Sequence, residues 1–115
     1  MTISLDFVFT RRPSPSLGSQ GQVFTGAFQN GNYGPPTGFC FDWFCNDAPM
    51  IDDPNMIDFN IPQRVQEFLN QISYQAAFTL GNELMITMGS DFQYENAREW
   101  FENTDKLIKA VNAGK

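Results

Sequence analysis

Apolar and polar positions alternate at the start of the chain: Ile3, Leu5, Phe7 and Phe9 stand at every second place, with Ser4 and Asp6 among them. Successive side chains of a strand point to opposite faces, so this pattern predicts a half-buried strand over residues 1–10. From Arg11 the chain turns to Arg, Pro, Ser, Gly and Gln, and Asn30-Gly31-Asn32-Tyr33-Gly34-Pro35-Pro36 excludes helix. Residues 11–61 therefore read as loop-rich, with little order in the first part. The period then changes. Val65, Phe68, Leu69, Ile72 and Ala76 recur at helical spacing behind Asn60, a candidate cap, and Pro62, tolerated in a first turn. They predict a packing helix over 62–79. Leu84 to Met88 is apolar except for Thr87 and predicts a strand over 84–88, ended by Gly89 and followed by an acidic loop over 89–95. Ala97, Trp100, Phe101, Thr104, Leu107, Ile108 and Val111 then form one stripe of a helix over 96–112. Its acidic residues gather toward the start, its lysines toward the end, and Gly114 serves as the stop signal.

Helix, strand, helix, with an N-terminal strand and long loops, is an α/β arrangement, but not a closed one. A central strand needs neighbours for its backbone donors and acceptors, and residues 1–10 are the one other strand predicted. Two outcomes stay open: a small α+β unit, or a partial slice of a larger, parallel-sheet, barrel-like α/β domain.

Composition narrows the chemistry. At 115 residues the chain suffices for one domain, and twelve Phe within 42% hydrophobic residues supply a core. A net charge of −6 with seven basic residues argues against nucleic acid or an anionic membrane as partner. No apolar run approaches the ~20 residues of a membrane span, and the N-terminus lacks the parts of a signal peptide, so taken literally the chain would be cytosolic. There is no histidine, which excludes His-containing zinc sites and Ser-His-Asp or Cys-His pairs built from this chain alone. The acidic segment from Ile51 to Asn60 lacks the ligand spacing, mid-loop glycine and terminal Glu of an EF-hand.

Two stretches carry candidate chemistry. Asp91 follows a predicted strand and a glycine, the edge at which α/β sheets and barrels place ligands and catalysis. An Asp in such a place is more often a cap of the following helix or a turn former than a catalyst. Phe39-Cys40-Phe41-Asp42-Trp43-Phe44-Cys45 sets two cysteines five apart, either bridged around a tight turn or two reduced, buried thiols.

Met88-Gly89-Ser90-Asp91-Phe92-Gln93-Tyr94-Glu95-Asn96-Ala97, with Trp100-Phe101 and Asp105 to Ile108 behind it, resembles the acidic loop of lysosomal-type α-mannosidases, glycoside hydrolase family 38. The C-x-D-x-x-C loop and the Tyr-Pro-Pro-like element before it fit the same resemblance, which begins near Ser16. One departure precedes the predicted strand: relatives carry an Arg-Thr-Asn-His-like segment where this chain has Phe78-Thr79-Leu80-Gly81-Asn82-Glu83. The resemblance implies a segment of the N-terminal catalytic domain of a retaining, zinc-dependent enzyme that hydrolyses terminal α-D-mannose in N-glycan-type oligosaccharides. It implies Asp91 as general acid/base and Asp42 as a holder of mannose hydroxyls. Phe41 and Trp43 become aromatic walls, with ordinary core as the alternative for both. It also implies a Cys40–Cys45 disulfide and a lysosomal or secreted location. The nucleophile and zinc ligands fall outside this chain, which alone is expected to be inactive and to need the remainder of the polypeptide. The other reading is a noncatalytic carbohydrate- or protein-binding module derived from such an enzyme.

Overall fold

A computed structural model describes residues 8–26, 33–79 and 81–114. The predicted strand over 1–10 lies mostly outside them; what is described is β1, Val8–Arg11, paired antiparallel with β2, Val23–Gly26, in the register Val8↔Gly26 to Arg11↔Val23. The loop expected between them is a 3-10 helix over Pro15–Gly21, opened by Pro15 and kinked at Gly18, whose φ of 53° only glycine adopts at little cost.

Helix α1 spans Ile61–Ala76, against the 62–79 predicted. Its last residues tighten: Ala77, Phe78 and Thr79 donate to the carbonyls three places back, the usual way a helix end meets its orphan acceptors. Asn60 occupies the cap position without making a side-chain cap. Its amide is spent across the chain, accepting from Ile51 N at 2.9 Å and donating to Pro49 O at 2.8 Å, so it ties the loop to the helix instead. Nor is the packing face all apolar. The buried residue of α1 is Arg64, its guanidinium 4.2 Å from the Phe39 ring centroid and bonded to Gly38 O and Glu67, while Leu69 and Ala76 are exposed.

The strand expected at 84–88 is not formed. Residues 83–90 have no repeating structure, because no described segment lies alongside to complete a ladder; they are held by side chains instead, Thr87 Oγ1 donating to Gly34 O and the Tyr94 hydroxyl to Met88 O. Helix α2, Ala97–Ala113, contacts α1 and buries Trp100 and Leu107, seven residues apart on one line. Phe101 and Ile108 of the predicted stripe are exposed. Gly114 follows at φ −85°, so the helix ends without a left-handed cap.

The core lies where loop meets helix. Phe39, Phe41 and Met50 from the loop pack on Trp100 and Leu107, with Ile61, Phe68, Tyr94 and Val111 around them. Asn103 and Lys106 of α2 pin that loop through both backbone groups of Met50, and Lys106 also pairs with Asp52 at 2.8 Å. Helices and a two-stranded antiparallel sheet are thus the regular structure among the described residues.

Candidate functional site

The cysteine turn comes first because it carries the carboxylate that organises the rest. Cys40 and Cys45 are joined, their Cα atoms 5.9 Å apart. Inside the turn Cys45 N donates to Asp42 O at 3.0 Å, and from beyond it Asp47 Oδ2 accepts from Cys40 N at 2.8 Å. Asp42 is therefore presented from a turn closed by a covalent link and two hydrogen bonds.

Its carboxylate points inward. At 7% exposure it accepts from Trp43 N on Oδ1 at 3.0 Å, and on Oδ2 from Tyr94 N at 3.0 Å and Trp100 Nε1 at 2.8 Å. The Trp100 bond foremost, with the two backbone bonds, outweighs desolvation and holds the Asp42 carboxyl below the usual carboxylate range, so it is an anion at neutral pH. Phe41 is 5% exposed, meets Phe39 and Trp100 edge to face, and contributes to the lining of a hollow beside Asp42. Trp43, for which a core position was an alternative, is 70% exposed and meets Phe44 edge to face.

Asp91 stands on the turn that Tyr94 closes. Gly89, Phe92 and Tyr94 all have positive φ, at 139°, 58° and 70°. For bulky aromatic residues that backbone is strained by about 1–3 kcal/mol each. Gly89 is required twice over, because a Cβ there would also lie 2.6 Å from Tyr94 Cε2. Tyr94 holds the turn at three points: its N–H on Asp42, its hydroxyl on Met88 O, and its ring stacked on Trp100 with centroids 4.9 Å apart. Asp91, midway between Met88 and Tyr94, is exposed, and its Oδ1 accepts from the Tyr33 hydroxyl at 2.5 Å. That bond, then desolvation and the Asp91 charge, push the Tyr33 phenol up, so it remains a donor at neutral pH.

A cleft of about 490 Å³ is lined by Tyr33, the partner of Asp91, by its neighbour Ser90, and by Gln93, Pro36, Gln71 and Gln75; Asp91 itself is not part of the lining. A volume of that order suits a small ligand, and its named polar groups are uncharged hydroxyls and amides. A second hollow of about 540 Å³ is lined by both cysteines together with Asp42, Trp43 and Glu99. Among the described residues no three His, Cys, Asp or Glu converge as a metal site.

Of the residues singled out from sequence, the structure brings Cys40, Phe41 and Asp42 together and links Asp42 to the Asp91 turn through Tyr94. Tyr94, Trp100 and Tyr33 were not read as parts of a site. Their partners lie 52, 58 and 58 residues away, and no local pattern signals such pairings.

Comparison with known proteins places the sequence in a family. Residues 13–115 match the glycosyl hydrolases family 38 N-terminal domain. The chain is similar to an alpha-mannosidase of Canavalia ensiformis, 48% identical over 109 residues, or 95% of this chain and 11% of that protein. It is 47% identical to the lysosomal alpha-mannosidase of Cavia porcellus over 102 residues, 88% of this chain and 10% of that one. With the human lysosomal alpha-mannosidase it shares 47% over 91 residues, 79% of this chain and 9% of the other. The chain thus spans about a tenth of the length of these relatives.

Proposed function

This chain belongs to glycosyl hydrolases family 38 through its N-terminal domain, and on that premise we propose that it supplies the acid/base part of an α-mannosidase active site whose other groups lie elsewhere in the catalytic domain. The substrate is a terminal α-mannoside of an N-glycan-type oligosaccharide, and the domain around this segment is the larger barrel-like α/β fold that would supply neighbours for residues 84–88. The observation behind the assignment of Asp91 is its exposed carboxylate on a strained, braced turn, with one oxygen bonded to Tyr33, which lines a neutral polar cleft.

In a retaining hydrolysis the Asp91 carboxyl gives its proton to the glycosidic oxygen while a second carboxylate attacks the anomeric carbon; Asp91, now ionised, then takes a proton from the water that releases mannose. That second carboxylate belongs to the rest of the domain, and this chain alone is inactive. Zinc, implied by the resemblance, does not fit the donors here, since both sulfurs are joined and no acidic cluster forms among the described residues. It belongs in this reading to the remaining polypeptide, and no step above runs through it. A lysosomal or secreted compartment suits the disulfide.

The test replaces the matched segment of the Canavalia ensiformis enzyme by residues 13–115 and compares it with Asp91→Asn. Loss of the acid should lower kcat/KM on an unactivated α-mannoside by about 10²–10⁴-fold and spare an aryl mannoside whose leaving group needs no proton. Equal activity of the two proteins on both substrates would overturn the assignment. The exposed Trp43–Phe44 pair favours the second reading, a noncatalytic sugar-binding module. Calorimetric titration of the chain with an α-mannoside decides between them: measurable binding by the chain alone supports the module, and none supports the enzyme segment.

A further inference from the structure

We propose that Asp42 is a positioning residue for Asp91: its buried carboxylate, bonded to Tyr94 N and Trp100 Nε1, fastens the end of the 89–95 turn to α2 and so sets where the Asp91 carboxyl stands. The inference rests on Asp91 being the acid/base.

An ionised carboxylate offers about four acceptor sites. Three of those on Asp42 are taken by protein donors at 2.8 to 3.0 Å, and the residue is 7% exposed, which leaves little for sugar hydroxyls. What it does reach is the turn. Tyr94 would not keep a φ of 70° unaided, and its N–H bond to Asp42, its hydroxyl bond to Met88 O and its stacking on Trp100 together close a ring of chain from Met88 to Tyr94. Asp91 is the middle residue of that ring, so a shift at Tyr94 is delivered to it. The anchor is itself fixed, since Asp42 sits within the Cys40–Cys45 turn and donation from Cys40 N to Asp47 braces that turn from outside. Hydrogen bonds to an anion are the stronger kind, which suits an anchor against backbone strain.

The experiment uses the complete enzyme carrying this segment, with two substrates: an unactivated α-mannoside and a dinitrophenyl α-mannoside. A displaced acid costs kcat/KM only where a proton must be delivered, because kcat/KM ends at the step in which the leaving group departs and does not include the later step in which Asp91 serves as base. Asp42→Asn should therefore lose about 10²-fold in kcat/KM on the unactivated substrate and less than about threefold in kcat/KM on the dinitrophenyl one. Trp100→Phe removes one donor and keeps a ring in the core; it should repeat the pattern at about tenfold, and it supplies the answer if Asp42→Asn does not fold. Equal losses on both substrates, as simple destabilisation produces, or no loss at all, would overturn the positioning role. Asp91→Asn is the control. If it shows the leaving-group dependence and the other variants do not, the inference about Asp42 alone fails; if it does not show it, the acid assignment fails first.

Discussion

Asp42 illustrates how one side chain can decide a local structure. Its three hydrogen bonds go to the ionised form, so its folded-state pKa lies below the ordinary value of 3.8. The stability it contributes is complete above 3.8 and is lost as pH falls through the lower folded-state value. Melting curves between pH 5 and 2 should show wild type losing stability more steeply than Asp42→Asn over that fall; parallel curves would mean that the carboxylate is not bonded as described. Asp52, lowered chiefly by its bond to Lys106, and Glu67, lowered by Gln63 and then Arg64, act in the same direction, and the comparison with Asp42→Asn subtracts them. The identities of Asp42 and Asp91 as notable residues were legible in the C-x-D-x-x-C and G-S-D-F patterns. The inward turn of Asp42 was not, because two of its three donors are contributed by a loop and a helix more than fifty residues away.

At the scale of elements, the two helices were readable within a few residues because each period is long and interrupted by strong signals. The stripes were less exact guides to burial. α2 buries Trp100 and Leu107 and leaves Phe101 and Ile108 exposed, since the loop covers one line of the stripe. The cysteine turn behaves as an element in its own right, joining the Asp42 anchor to the core residues Phe39 and Phe41. Closing so short a loop contributes about 2 kcal/mol by restricting the unfolded chain. Urea midpoints with and without reductant should differ accordingly, and because Trp100 Nε1 bonds to Asp42, Trp fluorescence should shift on reduction before global unfolding. An unchanged spectrum up to the transition would separate the disulfide from the anchor. The segment 84–88 taught the opposite lesson to the helices: its apolar run satisfied the pattern of a buried strand, yet a strand exists through its neighbours.

For the molecule as a whole, the apolar surface is the telling quantity. Among the described residues Phe24, Trp43, Ile57, Met85 and Phe92 are all more than half exposed. An apolar dye such as anilinonaphthalene sulfonate should therefore fluoresce strongly with the isolated chain, and less per segment once the segment stands within the Canavalia ensiformis enzyme. Equal dye binding in both settings would show that these faces are not covered by the rest of the domain. Periodicity, glycine and proline positions, and the two acidic motifs are local properties, so the chain by itself determined its helices, its turns, the candidate acid and the family it resembles. The fate of each polar group was decided by tertiary structure alone. Burial at Asp42 had to be matched by donors from Tyr94 and Trp100, Asn60 found better partners across the loop than at its own helix, and residues 84–88 found no ladder to join. Hydrogen bonds between distant segments depend on which surfaces meet, and a period along the chain carries no record of that.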